Sequence, residues 1–487
     1  MNRNDLSIEQ EYALQQYEEG NNILVTGPGG TGKSCLVRKM VEVSEKKGHK
    51  VQVCAMTGCA AILLGCSATT LHSWSGIKLA KGQNCEIITN IRNNKKVASK
   101  WRGVRTLILD EVSMLSKKLF ELLDAIGKSI RGNDKPFGGI QLVFTGDFYQ
   151  LPPIGSHEDG SGLFCFESDL WYLTFPLDNH IELTTLFRQK DPEYKTILNN
   201  IRQGIIDPND VKILQQRLKI EYNKDEHNGV VPTKLYATKA KVDKINQEQF
   251  DRLETRCYEY NCIQKEDCIG NLDSGKPFSP EFISKVKKEL NKTKKEMEFR
   301  YMMENCPMEK MLCLKEGANV MCTVNLDMES GICNGSVGII VGFSTGVGVP
   351  MPIVHFSNGV KRQINVKYWQ SEEFPTLAIG QIPLKLAWAM TIHKSQGATL
   401  SMGEIDIGSS IFECGQTYVA LSRIQSLYGL YLCGFNPHKI RTNAKVREFY
   451  NKIPKIEYEE DEEDEEDEEN KSSDNPLDFE EYKYVHL

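Results

Sequence analysis

Short apolar runs alternate with helical patterns through residues 1–180. Ile23-Leu24-Val25 reads as a buried strand, and beyond Ser34 the apolar residues Leu36, Val37, Met40 and Val41 recur at helical spacing. Val51–Ala55, Leu107-Ile108-Leu109 and Leu142-Val143-Phe144 read as further strands, the last two leading to acids, Asp110 and Asp147. This alternation predicts an α/β unit with a parallel sheet, which builds its sites at the carboxyl ends of its strands. A second set begins near Ile181. Leu235-Tyr236-Ala237, residues 384–389, Ile405-Asp406-Ile407 and Leu430-Tyr431-Leu432 predict a second parallel layer.

Between these strands the period changes. Asn319–Cys322, residues 337–341 and Pro352–Phe356 are short β-rich runs, and Asn334-Gly335 and Asn358-Gly359 are hairpin-turn pairs. They predict a small antiparallel barrel, residues 318–370, inserted into a second α/β unit of residues 181–317 and 371–455. Residues 280–305 read as helical, with six lysines from Lys285 to Lys295. These form either a solvated face or a nucleic-acid contact.

A chain of 487 residues is expected to hold two or three domains. No apolar stretch reaches membrane-spanning length, and the N-terminus lacks a signal or transit pattern, so a soluble, intracellular protein with no membrane partner is expected. The 15 cysteines are odd in number and never form C-x-x-C, which points to a reducing compartment. Cys257, Cys262 and Cys268 cluster loosely, without a fourth ligand at a metal-binding spacing. Net charge is −7, but residues 457–487 hold 16 Asp/Glu against 2 Lys. Removing that −14 leaves +7 on residues 1–456, a mildly basic body suited to a polyanion. The tail, 456–487, cannot bury apolar area and is expected to be disordered. Its end, with Phe479, Tyr482, Tyr484 and Val485, suits docking of a replication or repair protein. The alternatives are competition with DNA for basic surface and a merely solubilising role.

Gly27-Pro28-Gly29-Gly30-Thr31-Gly32-Lys33-Ser34 fits G-x-x-x-x-G-K-[ST], the phosphate-binding loop of nucleotide triphosphatases. A strand–loop–helix of this form aims N–H groups and a helix N-terminus at an anion. Lys33 would reach the β- and γ-phosphates of ATP and Ser34 would bind Mg²⁺. Asp110-Glu111 reads as the matching acid pair, with Asp110 on Mg²⁺ and Glu111 activating water. Gln150, in Gly146-Asp147-Phe148-Tyr149-Gln150, suits a neutral γ-phosphate sensor. Arg188 and Arg423, both assigned to the second unit, would complete the site from across a cleft.

With these motifs in order, the chain resembles superfamily-one DNA helicases, and within them the petite-integration-frequency (PIF) family, from Leu6 to about Phe449. Leu6-Ser7-Ile8-Glu9-Gln10 is similar to the adenine-reading motif, which implies that Gln10 contacts the base. Thr57-Gly58-Cys59-Ala60-Ala61 and Thr70-Leu71-His72-Ser73-Trp74-Ser75-Gly76 resemble segments that contact single-stranded DNA. Thr391-Ile392-His393-Lys394-Ser395-Gln396-Gly397 resembles the motif touching both DNA and phosphate, with Gln396 and Gly397 at the nucleotide and His393 and Lys394 at DNA. Phe120–Ile126 with Lys135-Pro136-Phe137-Gly138-Gly139 is similar to the family's own signature.

The resemblance implies two RecA-like domains and identifies the barrel with a Src-homology-type insertion. It also implies that residues 77–105, with Lys78, Lys81, Arg92, Lys95, Lys96, Lys100 and Arg102, form a strand-separating wedge. It implies a monomer translocating 5′ to 3′ on single-stranded or forked DNA and opening duplexes, RNA–DNA hybrids or G-quadruplexes. The setting would be replication, repair or telomere maintenance, in nucleus or cytoplasm or at a viral replication site. His72, Trp74 and His393 are the base-stacking candidates. Residues 250–315 and the acidic tail depart from the family pattern. The rival readings are a DNA-stimulated ATPase that remodels nucleoprotein without separating strands, and a kinase built on the same loop.

Overall fold

The computed structural model describes residues 6–77, 83–189, 191–222, 232–272, 275–305, 308–324, 326–327, 330, 332, 336–345, 348–371, 373–456 and 484–485. Lys78, Lys81, Asn334-Gly335, Phe479 and Tyr482 lie outside the described residues, as does most of the acidic tail.

Six parallel strands form the first sheet: β1 (Ile23–Thr26), β2 (Val51–Ala55), β3 (Thr69–Thr70), β4 (Thr106–Asp110), β5 (Gln141–Thr145) and β6 (His180–Glu182). They lie in the order β3-β2-β4-β5-β1-β6. Successive side chains of a strand point to opposite faces. Accordingly Leu24, Leu107, Leu109, Leu142 and Phe144 enter one core, while Ile23, Val25, Ile108 and Val143 enter the other. Helices cover both faces, which is why these strands read as continuous apolar runs. Strand β6 pairs with β1, Leu24 opposite His180, so the expected boundary at residue 180 falls inside the first sheet. A three-residue edge strand without an apolar run gave no periodic signal.

The second parallel sheet has the order 389–391, 233–236, 403–407, 430–435. The run 384–389, expected to be one strand of this sheet, is split. Leu384–Leu386 pairs antiparallel with Asn319–Cys322, whereas Ala389–Thr391 pairs parallel with Thr233–Tyr236. The β-rich insertion is therefore larger than 318–370. It comprises a five-stranded antiparallel sheet reaching Leu386, a three-stranded sheet containing Ile263–Lys265, and the ribbon of Cys257–Asn261 with Met311–Lys315. Residues 280–305 form two helices, Pro280–Glu289 and Lys292–Asn305. Lys96 of the 77–105 insertion reaches this region, lying 3.6 Å from Glu289 and above the Phe374 ring.

The last helix, Ala444–Tyr450, returns to the first unit rather than the second. Phe449 stacks on Phe166 at 4.4 Å and meets Phe148 at 5.2 Å, and Tyr450 stacks on Tyr149 at 4.5 Å. Within the tail, expected to be disordered, the described residues Tyr484–Val485 pair antiparallel with Lys455–Ile456. Among the described residues no helix is long and apolar enough to cross a membrane.

The signature at 120–139 is a packing device. Asp124 on the helix Lys117–Arg131 accepts the Phe137 N–H at 2.8 Å. A Cβ at Gly127 would lie 2.6 Å from the Phe137 carbonyl carbon, so only glycine lets the two segments touch.

Candidate nucleotide and nucleic-acid site

Most of the expected site residues outside the second sheet follow the carboxyl ends of the first sheet's parallel strands, Gln10 on the helix before β1 excepted. The glycine-rich loop follows β1, Thr57-Gly58 follows β2, His72 follows β3, Glu111 follows β4, Gln150 follows β5 and Arg188 follows β6. The loop must run close to its neighbours: a Cβ at Gly27 would lie 2.3 Å from the Leu183 carbonyl oxygen, and φ there is 133°. The helix Lys33–Lys46 starts within the loop, so its unpaired N–H groups face the same space.

Lys33 Nζ donates to the carbonyls of Gly27 (2.7 Å) and Pro28 (2.9 Å). Burial pulls its ammonium pKa down, opposed by the charges of Asp147, Asp110 and Glu111. Gln10 caps its own helix and is committed at both ends of its amide, accepting from Ser7 N (3.1 Å) and donating to Thr31 O (3.0 Å). It therefore braces the loop directly. Thr31 is itself tied back to Pro28 O at 3.0 Å.

Asp110 accepts a hydrogen bond from the Thr145 hydroxyl, and burial raises its carboxyl pKa. Glu111 sits in the left-handed region (φ 58°), a conformation costing about 1–3 kcal/mol that clusters at functional sites. Burial first, and then the Asp110 carboxylate, push its pKa up to about 7, against the pull of Arg423, Gln396 and Lys33. Gln396 Nε2 donates to Glu111 Oε2 at 2.9 Å and approaches Gln150 Oε1 at 3.4 Å. These contacts bring together the residues expected to handle the attacking water.

Both arginines converge on Gly29: a Cβ there would lie 3.5 Å from Arg423 Nη2 and 3.7 Å from Arg188 Nη1. Burial and the like charge of Arg423 press the Arg188 pKa down to about 10. Arg423, 2 % exposed, is held by Val419 O (2.9 Å) and Ser422 Oγ (2.8 Å). Arg188 was assigned to the second unit. It instead leaves the edge strand β6 of the first sheet, because Phe187 N is hydrogen-bonded to Gly30 O at 2.9 Å. Of the two arginines, Arg423 alone crosses from the second unit.

Gln189 Oε1 and Gln396 Oε1 are buried without a hydrogen-bond partner among the described residues. Buried orphans of this kind call for a bound donor such as water. The hydroxyl of Ser34 and the carboxylate of Asp110 are hard oxygen donors, the set that suits Mg²⁺. Among the described residues no three His, Cys, Asp or Glu side chains group as a metal site of their own.

The nucleic-acid candidates divide. Thr57 accepts from Ala60 N at 3.1 Å, opening the helix Gly58–Leu64, and a Cβ at Gly58 would meet open space. His72 and Ser73 are half-buried, and burial lowers the His72 pKa. Gly397 is half-buried beside Gln396, with φ 79°. Trp74 does not fit the stacking role: it is 2 % exposed and lies 4.7 Å from the Trp101 ring in the core. It points inward because the helix Leu71–Ser75 is a single turn whose inner face also holds Leu71. His393 is half-buried and Lys394 is exposed. The His393 ring stacks with Phe412 at 6.2 Å, and Phe412 is itself 58 % exposed. Sequence reading passed over Phe412, whose only signal is an aromatic residue shortly after a strand end.

It also passed over a buried polar hub. Arg202 Nη2 lies 3.1 Å from Asp147 Oδ1 and 3.0 Å from Glu182, between the rings of Tyr149 and Tyr450. Tyr418 Oη donates to Asp147 Oδ2 (3.1 Å) and Tyr450 Oη to Asp147 Oδ1 (3.0 Å). Asp147 is thus a structural carboxylate.

The sequence profile of PIF1-like helicases matches residues 5–211, and that of the DNA helicase Pif1 2B domain matches residues 301–343. The ATP-dependent DNA helicase PIF1 of Xenopus laevis is 33% identical over 92% of this chain and 65% of its own length. The ATP-dependent DNA helicase RRM3 of Saccharomyces cerevisiae is 31% identical over 93% of this chain and 68% of its own. The chain therefore spans about two thirds of the curated relatives it matches. The crystal structure of Pif1 helicase from Candida albicans superposes with a TM-score of 0.71 at 35% identity, covering 91% of this chain and 98% of that one. With motif order, paired sheets and inserted β-module all in agreement, the chain belongs to the PIF1-like helicase family.

Proposed function

We propose that this chain is an ATP-driven motor that translocates 5′ to 3′ on single-stranded DNA and opens duplex or forked DNA, RNA–DNA hybrids or G-quadruplexes. The observation that carries the reading is the convergence of Lys33, Arg188 and Arg423 on one glycine-rich loop, with Gln396 bridging to Glu111 from the other unit. One buried and two half-buried cations around a loop of N–H donors suit a polyphosphate and little else. The names of the curated relatives and the basic balance of residues 1–456 support a DNA track.

In this reading Lys33 leaves its carbonyl partners for the β- and γ-phosphates, and Arg188 and Arg423 offset charge on the transferred group. Glu111 accepts a proton from water, which Gln396 and Gln150 orient through their amides. Mg²⁺, held by Ser34 and Asp110, would neutralise phosphate charge. Because Arg423 and Gln396 come from the second unit, the site is complete only when the two units are together. Opening and closing would then shift the grip on a strand contacted by Thr57, Gly58, His72 and Ser73 on one side and by His393 and Lys394 on the other. We place the motor in an intracellular, reducing compartment, acting as a monomer, with the acidic tail docking a replication or repair protein.

Matched duplexes with a 5′ or a 3′ single-stranded tail, supplied with ATP, test motor and direction together. Displacement from the 5′-tailed substrate alone is expected. ATP hydrolysis with no displacement from either would overturn the reading in favour of a remodelling ATPase.

A further inference from the structure

Asp147, two residues beyond β5, is fully buried and saturated: Arg202 Nε and Nη2, Tyr418 Oη, Tyr450 Oη and Tyr149 N all donate to it. Two of these hydroxyls reach further: Tyr450 Oη also accepts the Phe148 N–H and meets Thr26 Oγ1, just before the phosphate loop. Tyr418 Oη also accepts the Gly29 N–H, at 3.1 Å, so a single oxygen joins the phosphate loop to the sensor segment after β5. Tyr418 lies on the helix Gln416–Leu421 of the second unit, which leads directly into Ser422 and Arg423. The glycine whose N–H it takes is the one that faces Arg423 Nη2 and Ser422 Oγ.

We propose that Tyr418 is a positioning residue of the ATPase, resting on the motor reading above. Its hydroxyl sets the register of the arginine-bearing helix against the loop, so that closure of the two units delivers Arg423 to the phosphates. The ring packs in the core at 2 % exposure, and that packing alone would seat the helix. The hydroxyl adds direction: it accepts from the loop on one side and donates to a fixed carboxylate on the other. A hydrocarbon ring would keep the helix seated but lose this directed link, leaving the Gly29 N–H without its hydroxyl acceptor.

Tyr418→Phe removes one oxygen and keeps the ring. Tyr194→Phe is the control, since Tyr194 Oη donates to Leu421 O at 2.7 Å and so holds the same helix from its far side without touching the loop. ATP turnover is measured with and without single-stranded DNA, together with KM for ATP, DNA affinity and Tm. Tyr418→Phe is expected to lower DNA-stimulated kcat by about tenfold, the scale of one buried hydrogen bond. KM for ATP and DNA affinity stay within about twofold, the pattern of an interaction made only on the way to the transition state. Tyr194→Phe is expected to lower Tm while keeping the wild-type ratio of DNA-stimulated to DNA-free turnover. Wild-type kcat in Tyr418→Phe, or an equal loss in Tyr194→Phe, overturns the proposal. If the wild-type protein shows no DNA stimulation, the motor reading fails separately, and the same two variants decide the Tyr418 proposal on DNA-free turnover.

Discussion

Gln396 Nε2 lies 2.9 Å from Glu111 Oε2, joining residues 285 positions apart in the chain across the two α/β units. The bond holds the carboxylate expected to activate water, and its donor belongs to the second unit. Hydrolysis is therefore expected to depend on Gln396 more than nucleotide binding does. Gln396→Ala should lower kcat by about 10²-fold, the scale of one preorganised polar group, with a smaller change in the KM for ATP. Steady-state ATPase assays check this, and an unchanged kcat would refute it.

The pH dependence follows from Glu111. Its pKa, raised to about 7, lies above the ordinary carboxyl value of 4.5, so the folded state binds more protons than the unfolded state between those values. Stability contributed by this residue is present below pH 4.5 and is lost as pH rises through about 7. Glu111→Gln should therefore melt above the wild type at pH 8, with the gap closing toward pH 5. As a base, Glu111 must be ionised, so wild-type kcat/KM for ATP should climb through pH 7 and then level. A flat profile from pH 6 to 8 would count against the assignment.

Lys33→Ala should keep its affinity for single-stranded DNA while losing ATP hydrolysis and unwinding. Arg423→Ala should do the same, with a loss on the order of 10³–10⁵ in rate if it acts as a finger arginine. Fluorescence anisotropy and a strand-displacement assay separate binding from work. Unwinding near the wild-type rate by either variant would end the motor reading.

The two aromatic residues at 72 and 74 should behave oppositely. Trp74→Ala removes a core ring packed on Trp101 and should cost about 3–5 kcal/mol of stability. His72→Ala should leave the melting temperature nearly unchanged and weaken DNA binding by about 1–3 kcal/mol, the scale of one stacked base. Denaturation and DNA titration of both variants test the split.

What could be read in the chain was local. The loop Gly27–Ser34, the acid pair at the end of β4 and the apolar strands, though not the edge strands β3 and β6, each announce themselves within about ten neighbouring residues, by spacing or by an apolar run. Contacts between distant segments left no such trace. Nothing near Asp147 says that Tyr450, 303 positions later, will bond to it, or that Arg202 will lie between two tyrosine rings. Residues 384–389 read as one strand because their pattern is mostly apolar, yet the chain changes sheets at Ala387-Trp388, a choice made by its partners. Trp74 illustrates the same limit, since an aromatic residue in a one-turn helix has no periodicity to say which way it faces.

The return of the last helix to the first unit has a consequence for how the molecule is made. A ribosome that has released the chain through Gln203 has supplied every strand of the first sheet, the phosphate loop and Arg188. It has not supplied Phe449 and Tyr450, whose rings close the aromatic core beside Phe148, Phe166 and Trp171. The first unit to be synthesised is thus the last to be sealed, and an unfinished chain carries the loop that holds nucleotide without the packing that steadies its sensor segment.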